Sequence, residues 1–233
     1  MKIILAKRSW FINYVKGFIM IKAIIFDMDG LMIDSEKLYM KAEIEMAQRF
    51  NKTVPPQTLR AMMGRKTLES LEIYKRDLGL ELSAQELADI REERMLELLK
   101  HSTEPMNGLF EIIDTFYGKL TLAIATGSTK NITNTAIGCL NLHSKFELIQ
   151  TCDEISKGKP DPEIYLTVCR KLNLKPEECV VLEDSENGAK AGKAAGCFVI
   201  AVPNEHTTEH DLTCADEIVR DLFVAIEKIV INL

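Results

Sequence analysis

The sequence has few of the features that mark zinc proteins, nucleic-acid binders or repeat proteins. Its six cysteines form no C-x-x-C pair, so the usual spacing of a structural zinc site is excluded. No internal repeat or low-complexity tract occurs. The 29 basic residues are outnumbered by 35 acidic ones, giving a net charge of -6. Binding to a nucleic-acid backbone through bulk positive charge is therefore excluded, and we expect no nucleic-acid partner.

The N-terminal segment contains no long apolar run and no export signal, although its composition differs from that of the rest of the chain. Residues 1–19 contain four basic side chains, no acidic one, and the only tryptophan, Trp10. Their longest uncharged run, from Ser9 to Val15, is far shorter than the ~20 apolar residues that a membrane-spanning helix needs. No small-x-small cleavage site follows an apolar core there, so a secretory signal is not indicated.

Two interpretations of this leader stay open. It could be an interfacial amphipathic helix, or Met20 is the natural start and residues 1–19 are untranslated sequence or a loose tail. We favour the second, because the next segment already has the pattern of a first strand. Scattered cysteines without an export signal point to the reducing cytoplasm. We expect no membrane partner and a monomer.

The pattern of apolar runs predicts an α/β fold. Five short runs, rich in β-branched and other apolar residues, lie at residues 21–26, 120–125, 146–151, 179–182 and 197–201. Continuous apolar strands separated by helical stretches are typical of a parallel sheet covered on both faces. In such a sheet, ligands bind beyond the carboxyl ends of the strands.

The segment between the first two runs exceeds ninety residues, which is too long for one crossover. Helical apolar spacing occurs in residues 38–50 and 67–78, and a proline pair (55–56) separates the two stretches. Ser83 and Glu86 form a capping box before a third amphipathic run that reaches about residue 100. We predict an all-helical cap domain at residues 36–103, inserted into a core of residues 20–35 and 104–233.

The first strand is followed by Asp27-Met28-Asp29-Gly30. Two carboxylates in this position could hold a hard divalent cation and divide the roles of nucleophile and acid/base between them. A surface turn that uses aspartate only for its backbone geometry is the alternative for this motif taken alone.

Polar side chains also follow other strands. Thr126 follows the second run, Lys159 lies in a Lys-Gly-Lys-Pro segment, and Glu183 and Asp184 follow the fourth run. With the Asp-x-Asp-Gly motif, these ordered motifs closely resemble the haloacid dehalogenase superfamily, in its subgroup with a helical cap after the first strand. The resemblance covers about residues 21–221 and implies a Rossmann-like parallel sheet in the order 3-2-1-4-5.

The resemblance also implies a phosphoryl-transfer mechanism. Asp27 would attack phosphorus and form an aspartyl-phosphate, and Asp29 would protonate the leaving oxygen and later deprotonate the hydrolytic water. Thr126 and the backbone N–H of Gly127 would bind the phosphoryl oxygens, and Lys159 would neutralise charge. Superfamily dehalogenases lack the second aspartate, so dehalogenation is disfavoured.

Mg²⁺ is the cofactor that the resemblance implies. Asp184 would ligate it together with Asp27 and the backbone carbonyl of Asp29, and Glu183 would bind it directly or through water. This agrees with elementary electrostatics, because several carboxylates in one site repel each other unless Mg²⁺ and Lys159 balance their charge.

Other positions carry weaker predictions. Ser128 either aids phosphate binding or caps the following helix, and we favour the cap. Arg65 and Lys66 could reach a substrate from the cap. The Gly/Ala-rich run at residues 188–196 looks like a phosphate loop, but small residues that let a helix pack closely on the sheet explain it better.

The function that follows is a Mg²⁺-dependent phosphatase acting on a small phosphorylated metabolite, such as a sugar phosphate or a nucleoside monophosphate. The alternative is a phosphomutase of the β-phosphoglucomutase type. The resemblance implies that true phosphomutases carry a histidine at the position of Tyr39 and an arginine at the position of Thr67. Both differences favour water, and not a second sugar hydroxyl, as the phosphoryl acceptor. A non-catalytic binding protein is disfavoured because all the motif residues are present.

Overall fold

The computed structural model describes residues 20–62 and 67–232, and strands and helices alternate along them. The strands in this part of the chain are β1 (Ala23–Phe26), β2 (Thr121–Ala125), β3 (Leu148–Gln150), β4 (Cys179–Glu183), β5 (Phe198–Ala201) and β6 (Glu217–Ile218). They form one sheet in the order β3-β2-β1-β4-β5-β6, with every neighbouring pair parallel. The predicted α/β fold and the order of its first five strands are confirmed.

Strand β6 was not predicted. It is two residues long at the edge of the sheet, and Ile218 is exposed. A strand this short and only partly covered leaves no apolar run in the sequence, so hydrophobic patterning could not find it.

The helices account for most of the remaining described residues. They are α1 (Ser35–Arg49), α2 (Pro56–Met62), α3 (Thr67–Leu78), α4 (Ala84–Ser102), α5 (Leu109–Phe116), α6 (Lys130–Cys139), α7 (Glu163–Lys171), α8 (Glu186–Ala195) and α9 (Leu222–Asn232). Short 3₁₀ turns lie at His143–Lys145, Cys152–Glu154 and Pro176–Glu178.

The two faces of the sheet are covered by different helices. Alternate residues of β1 point to opposite faces, as the pleat requires. Ile24 and Phe26 pack in a cluster with residues of α5, α6 and α9, whereas Ala23 and Ile25 pack with residues of α7 and α8. All four side chains are fully buried. Burial on both faces explains why the central strands are continuously apolar.

Helices α1 to α4 are inserted between β1 and β2 and contain a hydrophobic cluster of their own, which includes Met46, Leu71, Tyr74 and Leu87. The predicted capping box of α4 is present, with Ser83 and Glu86 as reciprocal partners. The sequence does not predict helix α2, because its first residue, Pro56, belongs to a proline pair that indicates a break, although proline is well tolerated in the first turn of a helix.

The chain enters and leaves this insert through two adjacent segments. Ile33 forms an antiparallel bridge with Pro105, and the N–H of Met106 donates to the carbonyl of Met32 over 2.9 Å. The exact domain boundaries at residues 36 and 103 stay a prediction.

None of the helices in the described ranges is long and apolar enough to cross a membrane. The predictions made for residues 1–19, and for Arg65 and Lys66, concern positions outside the described residues.

Close packing of α8 on the sheet gives a first prediction. A Cβ at Gly192 would lie 2.8 Å from Cγ2 of Val199, a fully buried side chain of β5. We expect Gly192→Ala to lower the free energy of unfolding by about 1–3 kcal/mol, as overpacking does, and urea denaturation measures it.

The matched control is Gly138→Ala on the exposed side of α6, where the nearest atom to a new Cβ is 3.5 Å away. Gly138→Ala should raise the free energy of unfolding by up to ~1 kcal/mol, because alanine is a better helix former than glycine. A Gly192→Ala protein as stable as the Gly138→Ala protein would contradict close packing of α8.

Candidate active site

The carboxyl ends of three adjacent strands bring polar side chains together. Asp27 follows β1, Thr126 follows β2, and Glu183 ends β4. Backbone hydrogen bonds extend the ladder past the strands, since the N–H of Asp27 donates to Leu182 over 3.0 Å and that of Thr126 donates to Gln150 over 3.0 Å. The side chains of Asp27, Thr126 and Glu183 are buried, so the sheet fixes their positions.

Lys159 reaches this edge from the segment before α7. Its Nζ donates to Oδ1 of Asp27 and to Oε1 of Glu183, both over 2.5 Å, and to the carbonyl of Ala125 over 3.2 Å. Only 12% of the lysine side chain is exposed. The structure thus brings together four of the residues that the sequence singled out, namely Asp27, Thr126, Lys159 and Glu183.

Three carboxylates crowd around this lysine. Oxygen atoms of Asp27, Glu183 and Asp184 lie within 4.8 Å of one another. Burial raises the pKa of Asp27 to about 8; Glu183 and Asp29 act in the same direction, and Lys159 opposes them. Burial, together with the charges of Glu183 and Asp27, also raises the pKa of Asp184 well above its usual value. Lys159 alone therefore does not offset burial, and both carboxyl groups favour the neutral form unless further positive charge is supplied.

Glu183 is the best-compensated member of this cluster. Burial acts to raise its pKa, but Lys159 and several hydrogen bonds outweigh burial and lower it. Oε1 accepts from the hydroxyl of Tyr165 over 2.7 Å as well as from the lysine. Oε2 accepts from the Ser185 hydroxyl and from the N–H groups of Asp184 and Ser185. Five hydrogen bonds hold this carboxylate.

The space for Glu183 exists because residue 188 has no side chain. A Cβ at Gly188 would lie 1.7 Å from Oε1 of Glu183. Together with the tight contact at Gly192, this agrees with the prediction that small residues of the 188–196 run allow close packing.

The two oxygens of Asp29 have different surroundings. Oδ2 accepts from Oγ1 of Thr126 over 3.1 Å and from Oγ of Ser128 over 2.7 Å. Oδ1 is buried and has no hydrogen-bond partner among the described residues. One oxygen of this carboxylate is thus fixed, and the other is available to exchange a proton.

The favoured cap role of Ser128 is wrong. The N-cap of α6 is Thr129, whose hydroxyl accepts from the N–H of Ile132, because the Ser128 side chain turns inward to Asp29. Gly127, between Thr126 and Ser128, is exposed at the edge of the site, where its backbone could meet a ligand.

Two residues of the site are not predicted by the sequence pattern. Tyr165 lies on the buried face of α7, and in the sequence its aromatic ring indicates only a position in the hydrophobic core. Asn204 follows β5; its Nδ2 donates to Oδ2 of Asp184 over 2.8 Å and to the carbonyl of Gly30 over 2.9 Å. The position of Asn204 just past a strand end was the available signal.

Gly30 also permits this arrangement. Its φ is 78°, and a Cβ there would lie 2.3 Å from Oδ2 of Asp184. A glycine is therefore needed after Asp29 both for the turn and for the approach of Asp184.

Comparison with known proteins relates the chain to a family of hydrolases. A family model described as haloacid dehalogenase-like hydrolase matches residues 24–202. The chain is 35% identical over 180 residues to the phosphorylated carbohydrates phosphatase of Thermotoga maritima, an alignment that covers 75% of this chain and 82% of that protein.

Two further similarities cover more of the chain. It is 32% identical over 208 residues to (DL)-glycerol-3-phosphatase 2 of Arabidopsis thaliana, covering 85% of this chain and 86% of that protein. The crystal structure of CbbY from Rhodobacter sphaeroides in complex with phosphate superimposes with a TM-score of 0.78 at 25% identity, covering 87% of this chain and 95% of the other.

Proposed function

The chain belongs to the haloacid dehalogenase-like hydrolases, and from that premise we propose that it is a Mg²⁺-dependent phosphatase of a small phosphorylated metabolite. The observation that carries the proposal is the pair of aspartates after β1, in which Asp27 lies against Lys159 and Asp29 keeps one oxygen free. Among the expected substrates, sugar phosphates have more support than nucleoside monophosphates, because a similar protein is a phosphorylated carbohydrates phosphatase.

The reaction divides between the two aspartates. An oxygen of Asp27 attacks phosphorus, the new O–P bond forms an aspartyl-phosphate, and the ester O–P bond breaks. The leaving oxygen takes a proton from Asp29, whose Oδ1 has no other partner in the described part of the chain. Asp29 then takes a proton from the water that hydrolyses the intermediate and regenerates Asp27.

Positive charge and hydrogen bonds support this transfer. Lys159 lies against Asp27 and would offset charge on the phosphoryl oxygens. Thr126, Ser128 and the backbone of Gly127 surround the same edge of the sheet, and we assign them to phosphoryl binding. Burial of Lys159 and Asp27 strengthens these interactions, because the local dielectric is low.

The donor set fits a hard divalent cation. Oxygen atoms of Asp27, Glu183 and Asp184 converge, and carboxylate oxygens are the ligands that Mg²⁺ takes in proteins. We assign Asp27, Asp184 and the backbone carbonyl of Asp29 as ligands. Glu183 already accepts five hydrogen bonds, which favours a contact through water. When bound, Mg²⁺ supplies positive charge that offsets the phosphoryl and carboxylate oxygens.

The inserted helices would act as a cap that excludes bulk water from this reaction. We place the cap at residues 36–103, between the paired segments at Ile33 and Pro105.

The proposed nucleophile gives the central experiment. We expect Asp27→Asn to lower phosphate release from a panel of sugar and nucleoside monophosphates by at least ~10³-fold, because the amide cannot form the acyl-phosphate. Free phosphate is measured with and without Mg²⁺. The control Asp114→Asn makes the same change on the exposed side of α5 and should keep the wild-type rate. Phosphate release by Asp27→Asn at the wild-type rate would contradict the assignment of Asp27 as the nucleophile.

Metal binding predicts two opposite changes in stability. Because burial disfavours the charged form of Asp184, Asp184→Asn should raise the melting temperature of the metal-free protein. At 100 times its dissociation constant, Mg²⁺ should stabilise the wild type by about 2.7 kcal/mol, and Asp184→Asn should lose this gain.

Calorimetry with and without Mg²⁺ measures both changes, and Asp114→Asn should respond to Mg²⁺ like the wild type. An equal Mg²⁺ response in the Asp184→Asn protein would show that the metal binds elsewhere.

The phosphomutase alternative predicts a different product. The resemblance to the superfamily implies that phosphomutases carry a histidine at the position of Tyr39. Burial raises the pKa of the Tyr39 hydroxyl above its usual value, so this side chain stays protonated and cannot serve as a base for a second sugar hydroxyl. If β-glucose 1-phosphate is a substrate, we expect it to yield glucose and free phosphate. NMR of the products measures this. Formation of glucose 6-phosphate would overturn the phosphatase assignment.

A further inference from the structure

A chain of hydroxyl groups connects the inserted helices to Asp29. Oη of Tyr39, on α1, lies 3.3 Å from Oγ of Ser128, and that Oγ donates to Oδ2 of Asp29 over 2.7 Å. A serine hydroxyl has one hydrogen, and here it is given to the carboxylate. Tyr39 is therefore the donor in its own contact with Ser128.

The ring of Tyr39 is held in place from the other side. The guanidinium carbon of Arg91, on α4, lies 5.2 Å from the ring centroid. Nη1 of Arg91 donates to Oε1 of Glu43 over 3.1 Å, and both charged side chains are buried. A buried ion pair of the inserted helices thus fixes the cation against the ring, and the ring against Ser128.

We propose that Tyr39 is a positioning residue for proton transfer by Asp29. Its hydroxyl fixes Ser128, which with Thr126 fixes Oδ2 of Asp29 and leaves Oδ1 as the oxygen that gives its proton to the leaving group. Since Tyr39 belongs to the insert and Ser128 follows β2, the chain of hydroxyls is complete only when the insert lies against the sheet. The inference rests on the proposed function, because it assumes that Asp29 protonates the leaving oxygen.

Leaving-group dependence tests this role. A sugar phosphate that the wild type hydrolyses needs a proton on its poor leaving group, whereas p-nitrophenyl phosphate leaves as a stable anion and needs little help. We expect Tyr39→Phe to lower kcat/KM for the sugar phosphate about 5- to 10-fold, the loss typical of one hydrogen bond, and that for p-nitrophenyl phosphate less than about 2-fold. Ser128→Ala should lower kcat/KM for both substrates, because we also assign Ser128 to phosphoryl binding, and on the sugar phosphate the double variant should lose no more than Ser128→Ala alone.

The control is Tyr117→Phe, which removes a hydroxyl from an exposed tyrosine whose partner is the carbonyl of Ser144. It should leave both substrates unaffected, and the melting temperatures of all variants show whether they fold. Equal losses of Tyr39→Phe on both substrates, an unchanged kcat/KM on both, or additive losses in the double variant would overturn the proposal. A wild type that hydrolyses neither substrate, nor any of the panel above, would instead overturn the proposed function.

Discussion

The balance of charge around Lys159 is the constraint on which the rest of the site depends. Its ammonium group lies against Asp27, 132 residues earlier in the chain, and against Glu183. Removing a charge from water costs several kcal/mol unless a partner compensates it. The parallel sheet solves part of this problem, because its strands end side by side and deliver the partners to one edge. Burial still raises the pKa of Asp184 and of Asp27, and in our proposal a bound cation supplies the positive charge that their ionised forms need.

Glu183 and Asp184 show how strongly local surroundings decide the behaviour of neighbouring carboxyl groups. The pKa of Glu183 is lowered, since the lysine and four further donors outweigh its burial. The pKa of Asp184 is raised, since burial and adjacent negative charge dominate. The difference depends on residues with no charge of their own: Tyr165 supplies a donor to Glu183, and Gly188 leaves room for it. Adjacent acids in one motif therefore suit different tasks.

The sequence predicts the sheet and the residues at its edge because both leave a local signal. An apolar run followed by a polar residue is visible without knowing the fold, as at Asp27 and Thr126. The hydroxyl of Tyr165 leaves no such signal, because its partner is brought close only when α7 packs on the sheet. The prediction that Ser128 caps α6 fails for a related reason. Serine before a helix favours a cap locally, but the carboxylate of Asp29 competes for the same hydroxyl and wins. Short pieces such as β6 carry too few residues for a pattern.

The different donors around the two aspartates explain why their roles should not be interchangeable. Asp27 accepts a hydrogen bond from the ammonium group of Lys159, which opposes the rise in pKa that burial causes and so supports the ionised form that a nucleophile needs. Asp29 accepts only from the hydroxyls of Thr126 and Ser128 in the described structure. A neutral hydroxyl can pair with either form of a carboxyl group, so these donors suit the acid/base role that we propose for Asp29. The spacing of two residues places both carboxylates at one strand end, and their different donors support the division into nucleophile and acid that we propose.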